Sequence, residues 1–300
     1  MSEQPYDKIK TADGYISASP APDPDELAKF YADTYFQEEK AATYANVYSE
    51  QEMAHKRLRA DILVHAVLQS VGGTVPGDGR LLEMGSGEGF LLASAHGSGW
   101  TAQGVDFSDH AIGNLHPEML AYFEAGDAFA VLDRMIEEDQ KYRVCILQNI
   151  LEHLIDPVAL LEKLPRLLTD DGLVVATVPN DYSRLQEELS ASGRIDREYW
   201  FAPPEHLHYF NADNIARFAE RCGFDVIDSY GDFPIEFFLF HPGSNYVADP
   251  ALGKDAHKAR MTLDALFAEK GLDPYLDFCR SLNKCGMGRS VTVVMKARNR

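Results

Sequence analysis

The chain has few cysteines, no long apolar run and a deficit of positive charge. Its 300 residues include four cysteines, and none of them forms a Cys-x-x-Cys pair. The sequence therefore indicates neither a zinc site nor a disulfide framework. No segment approaches the ~18 apolar residues that a membrane span needs, and the amino terminus lacks a basic region followed by an apolar stretch. We expect a protein of the reducing cytoplasm that does not contact a membrane.

The charge balance restricts the partners of the chain. Lys and Arg total 28 against 47 Asp and Glu, which gives a formal net charge of -19. Because such a surface repels polyanions and no basic run offsets it, we expect a small molecule as the partner, and no nucleic acid. The apolar share of 45% is enough for a sizeable core. The sequence leaves a homodimer open.

Apolar patterns divide the chain into three parts. Residues 1–23 are polar and rich in small residues and proline, which predicts a flexible arm. Helical periodicity in residues 24–76 predicts an N-terminal helical cover. In residues 77–300 strand and helix patterns alternate, which predicts an α/β domain with a doubly wound, mostly parallel sheet. Two stretches interrupt the alternation, residues 180–211 and 232–288, and they are predicted as insertions beside the ligand site.

A glycine turn follows the first strand of this alternation. Glycines recur at alternate positions from Gly85, where positive φ angles and close approach to a ligand are needed. A dinucleotide fold would place its third glycine one position later, where this chain has Phe90. Glu83 and Glu88 beside the turn would repel a pyrophosphate, whereas they suit a ligand with ammonium and sulfonium charges.

Two acids follow the turn at the ends of the next predicted strands. Asp106 ends the second strand, where a carboxylate can accept hydrogen bonds from both hydroxyls of a ribose. Asp127 comes just after the third strand. A carboxylate there can accept from the exocyclic amine of an adenine, while the backbone of Ala128 contacts the ring edge.

The turn and the two acids, in this order, resemble the S-adenosylmethionine (SAM) site of class I methyltransferases over roughly residues 78–230 and the last strand. The resemblance implies a Rossmann-like methyltransferase fold with seven strands, SAM as cofactor with S-adenosylhomocysteine (SAH) as product, and a small-molecule acceptor. By position it also assigns the cofactor-binding residues: Glu83, Gly85, Ser86, Gly87, Asp106, Phe107, Asp127, Ala128 and Gln148.

The pair Glu152-His153 follows the fourth strand and resembles ubiquinone-pathway O-methyltransferases and their small-molecule relatives. In some of these enzymes an acid three residues before the Glu helps to hold a metal. Asn149 stands at that position here, so we predict no metal. A catalytic role for His153 and a purely structural one both remain open.

A second histidine segment, residues 203–211, is similar to a segment near the acceptor pocket of the same relatives. Strand-like alternation would send His206 and His208 to one side. A hydroxyl acceptor needs a base that is poised near neutral pH, and histidine is the side chain best suited to this task. We predict His206 as the general base with His208 behind it, and a structural role for each as the alternative.

The ending of the chain looks like that of methyltransferases of surface-glycan or deoxysugar synthesis, which implies a sugar or nucleotide-sugar acceptor. Substrate contacts are predicted for Glu205, Tyr209 and Arg289. Lid residues are predicted at Tyr44, Tyr48 and Arg57. Two other readings stay open: a nucleotide-sugar oxidoreductase that uses NAD, and a SAM-binding partner protein without catalytic activity.

Overall fold

The computed structural model describes residues 6–23, 27, 48–77 and 79–298. The front helix predicted from Pro24 falls almost wholly outside these residues, as does Tyr44. The strands are β1 Asp7–Lys10, β2 Ile16–Ser19, β3 Arg80–Met84, β4 Thr101–Asp106, β5 Phe123–Ala125, β6 Tyr142–Gln148, β7 Leu168–Pro179, β8 His208–Tyr209, β9 Phe224–Gly231 and β10 Ser290–Ala297.

The α-helices alternate with the strands of the main sheet, and two of them form a late pair. In the described part of the chain they are α1 Glu50–Ser70, α2 Phe90–Gly97, α3 His110–Leu115, α4 Ala128–Glu137, α5 Pro157–Lys163, α6 Arg184–Ala191, α7 Ile215–Arg221, α8 Gly253–Ala268 and α9 Leu272–Lys284. Short 3-10 helices follow α3 and α5 and fill much of the stretch before α8. None of the helices in the described residues combines the length and the apolar character that crossing a bilayer requires.

The main sheet has seven strands in the order β5-β4-β3-β6-β7-β10-β9. The pairs from β5 to β7 are parallel, and β10 runs antiparallel to both of its neighbours. The predicted doubly wound, mostly parallel sheet is therefore confirmed. The carboxyl ends of β3, β4 and β6 lie at one edge, which is where ligands bind in sheets of this kind.

Apolar side chains cover both faces of the sheet. On one face α4, α5 and α7 pack against alternate residues of the strands, among them the fully buried Leu82 and Leu147. On the other face α1 and α2 pack against Leu81 and Ile146. Strands buried on both faces read as continuous apolar runs, as β6 does.

Helix α1 is part of the sheet domain, so the boundary expected near residue 76 does not separate two units. A capping box between Ser49 and Glu52 starts the helix. Its residues Leu63 and Val67 pack on the sheet, while Ile62 contacts the cluster formed by α9. The stretch 232–288, which was expected as an insertion, contains α8 and α9. Both helices pack against α1.

The flexible arm expected at residues 1–23 is a β-hairpin in its described part, residues 6–23. β1 pairs with β2 in antiparallel register, and β2 pairs in turn with β8, about 190 residues later. Tyr15 is buried and its ring contacts Phe210 and Phe218. The expectation was wrong because the polar composition concealed a single buried aromatic residue that anchors the hairpin.

Candidate active site

The glycine turn is fixed to the neighbouring strand by its backbone. The N–H groups of Gly85 and Ser86 both donate to the carbonyl of Val105 at the end of β4, at 2.8 and 3.2 Å. Gly85 has a φ of 77°, and a Cβ there would lie 2.4 Å from Cδ1 of Ile150. The turn thus requires glycine for its conformation and for the close approach of the segment after β6.

Asp106 organises the turn from the end of β4. Its carboxylate accepts from the N–H of Gly87 at 2.7 Å and from the N–H of Phe107 at 2.7 Å. Burial raises the pKa of Asp106 above its ordinary value, and these backbone donors oppose that shift. A carboxylate offers about four lone-pair sites, so acceptor capacity is left for a ligand.

Asp127 and Ala128 lie at the start of α4. Asp127 is exposed and caps the helix, because its side chain accepts from the N–H of Ala130 at 2.8 Å. One carboxylate oxygen is used in this way. Phe107, between the two acids in the chain, is 56% exposed, and an exposed ring at the end of β4 provides an apolar surface on which a nucleobase can pack.

Glu83 and Glu88 flank the turn in different ways. Glu83 is 2% exposed, and its Oε2 has no hydrogen-bond partner among the described residues. Burial, with the nearby Asp106, raises the pKa of Glu83 well above its usual range. Glu88 accepts from the Tyr48 hydroxyl and from Lys56 Nζ. The charge of Glu88 is therefore already compensated, whereas Glu83 keeps an acceptor for a ligand.

The predicted lid residues Tyr48 and Arg57 differ in their contacts with the glycine turn. Tyr48 reaches the turn through Glu88, as a lid residue would. Arg57 is exposed on α1, and its neighbour Lys56 makes the contact instead, because consecutive residues of a helix face different directions. Lys56 carried no sequence signal of its own.

Gln148 ends β6 on the far side of the turn from Asp127. It borders a small cavity of about 30 Å³, enough for one or two water molecules. Arg59 of α1 and Asp232 form an ion pair at 3.2 Å on its wall. The structure brings Gln148 to the same sheet edge as the glycine turn.

A cluster of three polar side chains lies just beyond Ile150. Glu152, His153 and His206 converge there, with one ligand-capable atom of each within 4.8 Å of the others. The two imidazole rings meet edge to face with centroids 4.7 Å apart. Two histidine segments that were predicted separately, more than 50 positions apart in the chain, are thus brought together.

Backbone hydrogen bonds join the two segments. The carbonyl of Glu152 accepts from the N–H groups of Leu207 and His208, at 2.7 and 3.1 Å. The Nδ1 of His153 lies 2.7 Å from the carbonyl of Glu205. Since a carbonyl can only accept, this nitrogen carries the proton and Nε2 keeps its lone pair.

Burial dominates the electrostatics of this cluster. It raises the pKa of Glu152 to about 8. It lowers the pKa of His153 to about 3, with His206 as a second cause, and the pKa of His206 to about 4, with Arg289 as a second cause. Both imidazoles are therefore neutral near pH 7 and are weak proton acceptors.

His208 does not take the place that we predicted, and Tyr209 is buried. His208 Nδ1 lies 2.9 Å from Ser17 Oγ in the hairpin, and its ring contacts Tyr15. Tyr209 is fully buried, and its hydroxyl donates to the carbonyl of His206 at 2.7 Å. Only residues 208–209 form a strand, so the alternation that would pair the two histidines does not extend back to His206. The Tyr209 hydroxyl thus holds the loop backbone at Ala202 and His206, and its contact with a substrate stays a prediction.

Arg289 is held between two buried carboxylates. It lies 3.0 Å from Asp181 and 3.6 Å from Glu236, each of which is 1% exposed. Its charge is thus compensated within the protein, which weakens the prediction that it meets an acidic acceptor. Sequence reasoning missed both acids. Glu236 did carry a signal, since it is the one charged residue in the run Ile235–Phe240.

Comparison with known proteins identifies the family. A family profile described as "Methyltransferase domain" matches residues 51–229. The chain belongs to this methyltransferase family. The matched range begins in α1, which agrees with the packing of that helix on the sheet. None of the curated proteins compared with this methyltransferase matches it.

Three solved structures show what this methyltransferase is similar to. The 1,6-didemethyltoxoflavin-N1-methyltransferase of Burkholderia thailandensis is 12% identical over 98% of this chain and 100% of that chain, with a TM-score of 0.52. A SAM-dependent methyltransferase from Archaeoglobus fulgidus is 17% identical over 83% and 100%, with a TM-score of 0.48. The magnesium protoporphyrin IX methyltransferase of Synechocystis PCC 6803 is 19% identical over 69% and 92%, with a TM-score of 0.46.

The predicted class, the SAM-dependent class I methyltransferases, is confirmed together with its fold. The finer expectations, a sugar-like acceptor, a cytoplasmic location, a homodimer and a histidine base, remain predictions. The residues at the glycine turn fit SAM as the methyl donor. A Cβ at Gly85 would clash with Ile150, so the turn there requires glycine. A buried Glu83 oxygen has no hydrogen-bond partner in the described chain, and Asp106 can accept further hydrogen bonds.

Proposed function

We propose that this chain binds SAM at the glycine turn and transfers its methyl group to a hydroxyl or an amine of a small, hydroxyl-rich molecule. The proposal rests on the position of Ile150, which lies between the glycine turn and the cluster of Glu152, His153 and His206. Its side chain would touch a Cβ at Gly85, and its carbonyl accepts from the N–H of His153 at 3.1 Å. The donor turn and the polar cluster are therefore direct neighbours.

The donor side has the groups that a SAM nucleoside and methionine need. Asp106 has lone pairs left for ribose hydroxyls, Phe107 offers a ring for the adenine, and Asp127 keeps one carboxylate oxygen for its amine. Glu83 and Gln148 lie toward the methionine end. Bound SAM supplies a methyl carbon on a sulfonium, and alignment of the acceptor with that carbon is the main task left to the protein.

The acceptor side is polar and aromatic. Asp181, Glu236 and Arg289 lie beside the rings of Tyr199 and Tyr246, with the Tyr199 hydroxyl 3.4 Å from Glu236 Oε1. Carboxylates that accept hydrogen bonds beside aromatic faces suit a molecule with several hydroxyls. This supports a sugar-like acceptor over an apolar one.

Transfer to a hydroxyl forms a C–O bond, breaks the C–S bond and releases the hydroxyl proton. His206 can take this proton only weakly because burial keeps its pKa low. An amine acceptor that enters in its neutral form attacks without a base. His206 as general base therefore stays a prediction. We expect His206→Ala to lower turnover with unchanged SAH affinity, and full turnover would remove His206 from the mechanism.

Calorimetric titration with SAH tests the donor site, and NAD is the matched comparison. We expect one SAH per chain and a raised melting temperature, since a ligand that binds only the folded state stabilises it. Stabilisation by NAD without any effect of SAH would instead support the oxidoreductase reading. Transfer of a labelled methyl group from SAM to a panel of sugars and amines then separates an enzyme from an inactive SAM-binding protein.

A further inference from the structure

The carboxylate of Glu152 is buried in an unusual setting. It is 1% exposed, and neither of its oxygens has a hydrogen-bond partner among the described residues. A buried carboxylate without partners destabilises the folded state unless a proton or a cation compensates its charge. Glu152 therefore points to a group that completes its surroundings.

The group nearest to Glu152 is itself an acceptor. Glu152 Oε1 lies 3.8 Å from His153 Nε2, which carries the lone pair because Nδ1 donates to the Glu205 carbonyl. A shared proton would need the two atoms within about 3.2 Å. Two lone pairs that face each other at the longer distance fit a cation held between them.

His206 supplies a third ligand from the facing segment. Its ring meets His153 at 85°, and one nitrogen lies within the 4.8 Å set that the three residues form. Ligand atoms at about 2.1 Å from a tetrahedral ion lie roughly 3.4 Å apart, so small side-chain rotations bring this set to ligand distances. In some of the related O-methyltransferases the further ligand comes from upstream, where this chain has Asn149, whereas here the fold brings His206 from downstream.

The surrounding charges favour a cation. Three buried carboxylates, Glu152, Asp181 and Glu236, lie in this region, and Arg289 is shared by the last two. The carbonyl of Glu205 fixes the tautomer of His153, as an outer partner does for metal-binding histidines. The cluster is therefore organised before any ion arrives.

We propose that Glu152, His153 and His206 bind one divalent transition-metal ion, of the zinc or cobalt kind. Two imidazoles and one carboxylate suit these ions, whereas Mg²⁺ and Ca²⁺ prefer oxygen ligands alone. Three protein ligands leave an open position for an oxygen of the acceptor. An ion there holds a hydroxyl and lowers its pKa, which removes the need for a strong base. This role rests on the proposed function, while the binding of the ion does not.

The test uses the full chain after treatment with a chelator. Calorimetry with Zn²⁺ alone, and the visible absorption of Co²⁺, measure stoichiometry and ligand set. We expect one ion per chain in the wild type and an affinity at least about 100-fold lower in Glu152→Gln and in His206→Ala. The matched control is His96→Gln, because His96 is bound to the Ala102 carbonyl away from the cluster.

Circular dichroism and SAH affinity show whether each variant is folded. Equal ion affinity in Glu152→Gln, His206→Ala and the His96→Gln control would overturn the proposal, and so would the absence of any bound ion in a folded wild type. A protein that binds SAH but no ion keeps the proposed function and loses this inference. A protein that binds the ion but not SAH gives the reverse result.

Discussion

The proposed donor half and the proposed acceptor half of the site are built in opposite ways. The donor half takes its residues from the ends of four neighbouring strands within residues 83–148, and the glycine turn, Asp106 and Asp127 are each held by hydrogen bonds to nearby backbone. The acceptor half joins the hairpin at residues 6–20, the segment after β6, the loop before β8 and Arg289. Local construction leaves a readable pattern in the sequence, whereas assembly from distant segments does not.

The largest effect is expected from the anchor of the acceptor half. Tyr15→Ala removes a ring that is 5% exposed and packed on Phe210 and Phe218. We expect the free energy of unfolding to fall by about 3 kcal/mol, as for other large aromatic truncations. Denaturant unfolding measures this loss.

If the two halves are built independently, folded Tyr15→Ala protein keeps its SAH affinity and loses methyl transfer. Ile9→Ala is the matched control, since Ile9 lies in the same hairpin and is 52% exposed. Its stability should stay within about 0.5 kcal/mol of the wild type. A comparable loss of SAH affinity in folded Tyr15→Ala would contradict the separation.

A smaller effect is expected within the donor half, where the two acids differ. Asp106→Ala removes an acceptor that orients the turn and that we propose binds the ribose, so SAH affinity should fall by about 2 kcal/mol, or roughly 30-fold. Asp127 is exposed and partly occupied by its helix cap. The loss of SAH affinity in Asp127→Ala should therefore be about 1 kcal/mol or less. Calorimetric titration of both variants checks the order, and a larger loss at Asp127 would argue against the proposed placement of the nucleoside.

The smallest effect concerns a helical contact outside both halves. His55 of α1 is 6% exposed and lies 2.8 Å from Asp264 of α8. Burial lowers the pKa of His55 below 6.5 in spite of this contact. The unfolded chain therefore binds the proton first, and this contribution to stability is present above pH 6.5 and is lost as the pH falls.

Urea unfolding at about pH 7.5 and about pH 5.5 measures this linkage. Wild-type protein should lose more stability across this interval than His55→Gln, which has no titrating group at that position. Parallel pH profiles for the two proteins would show that folding does not change the pKa of His55. SAH affinity of the variant should match that of the wild type.

The sequence predicted the sheet well because each strand carries its own pattern. The apolar run of β6 and the turn after β3 were located nearly to the residue. Helix α9 was missed although Leu272, Tyr275, Leu276 and Cys279 recur at helical spacing. Helix α8 has a weaker apolar pattern in its sequence, since one of its buried residues is Asp264. An acid that is buried by a distant histidine and a tyrosine has no signature in its own segment.

The candidate site likewise has one part that the sequence predicts and one part that depends on tertiary contacts. The donor residues could be assigned by position, since the end of a strand fixes where the next few residues lie. The meeting of His153 with His206 depends on backbone bonds between segments that only the fold brings together. The departure of His208 toward Ser17 depends on a hairpin that its composition did not reveal. Tertiary pairing, which no local pattern encodes, decided each of these outcomes.

The short pairing of β8 with the hairpin has a consequence for any attempt to exchange acceptor preference with a relative. The Ala18 N–H donates to the carbonyl of Leu207, directly after His206. A chimera that takes only residues 180–211 from a relative would pair the relative's β8 with the original hairpin of this chain, and the two would not match. The two stretches, although nearly 200 residues apart in the gene product, are expected to be inherited and engineered as one module.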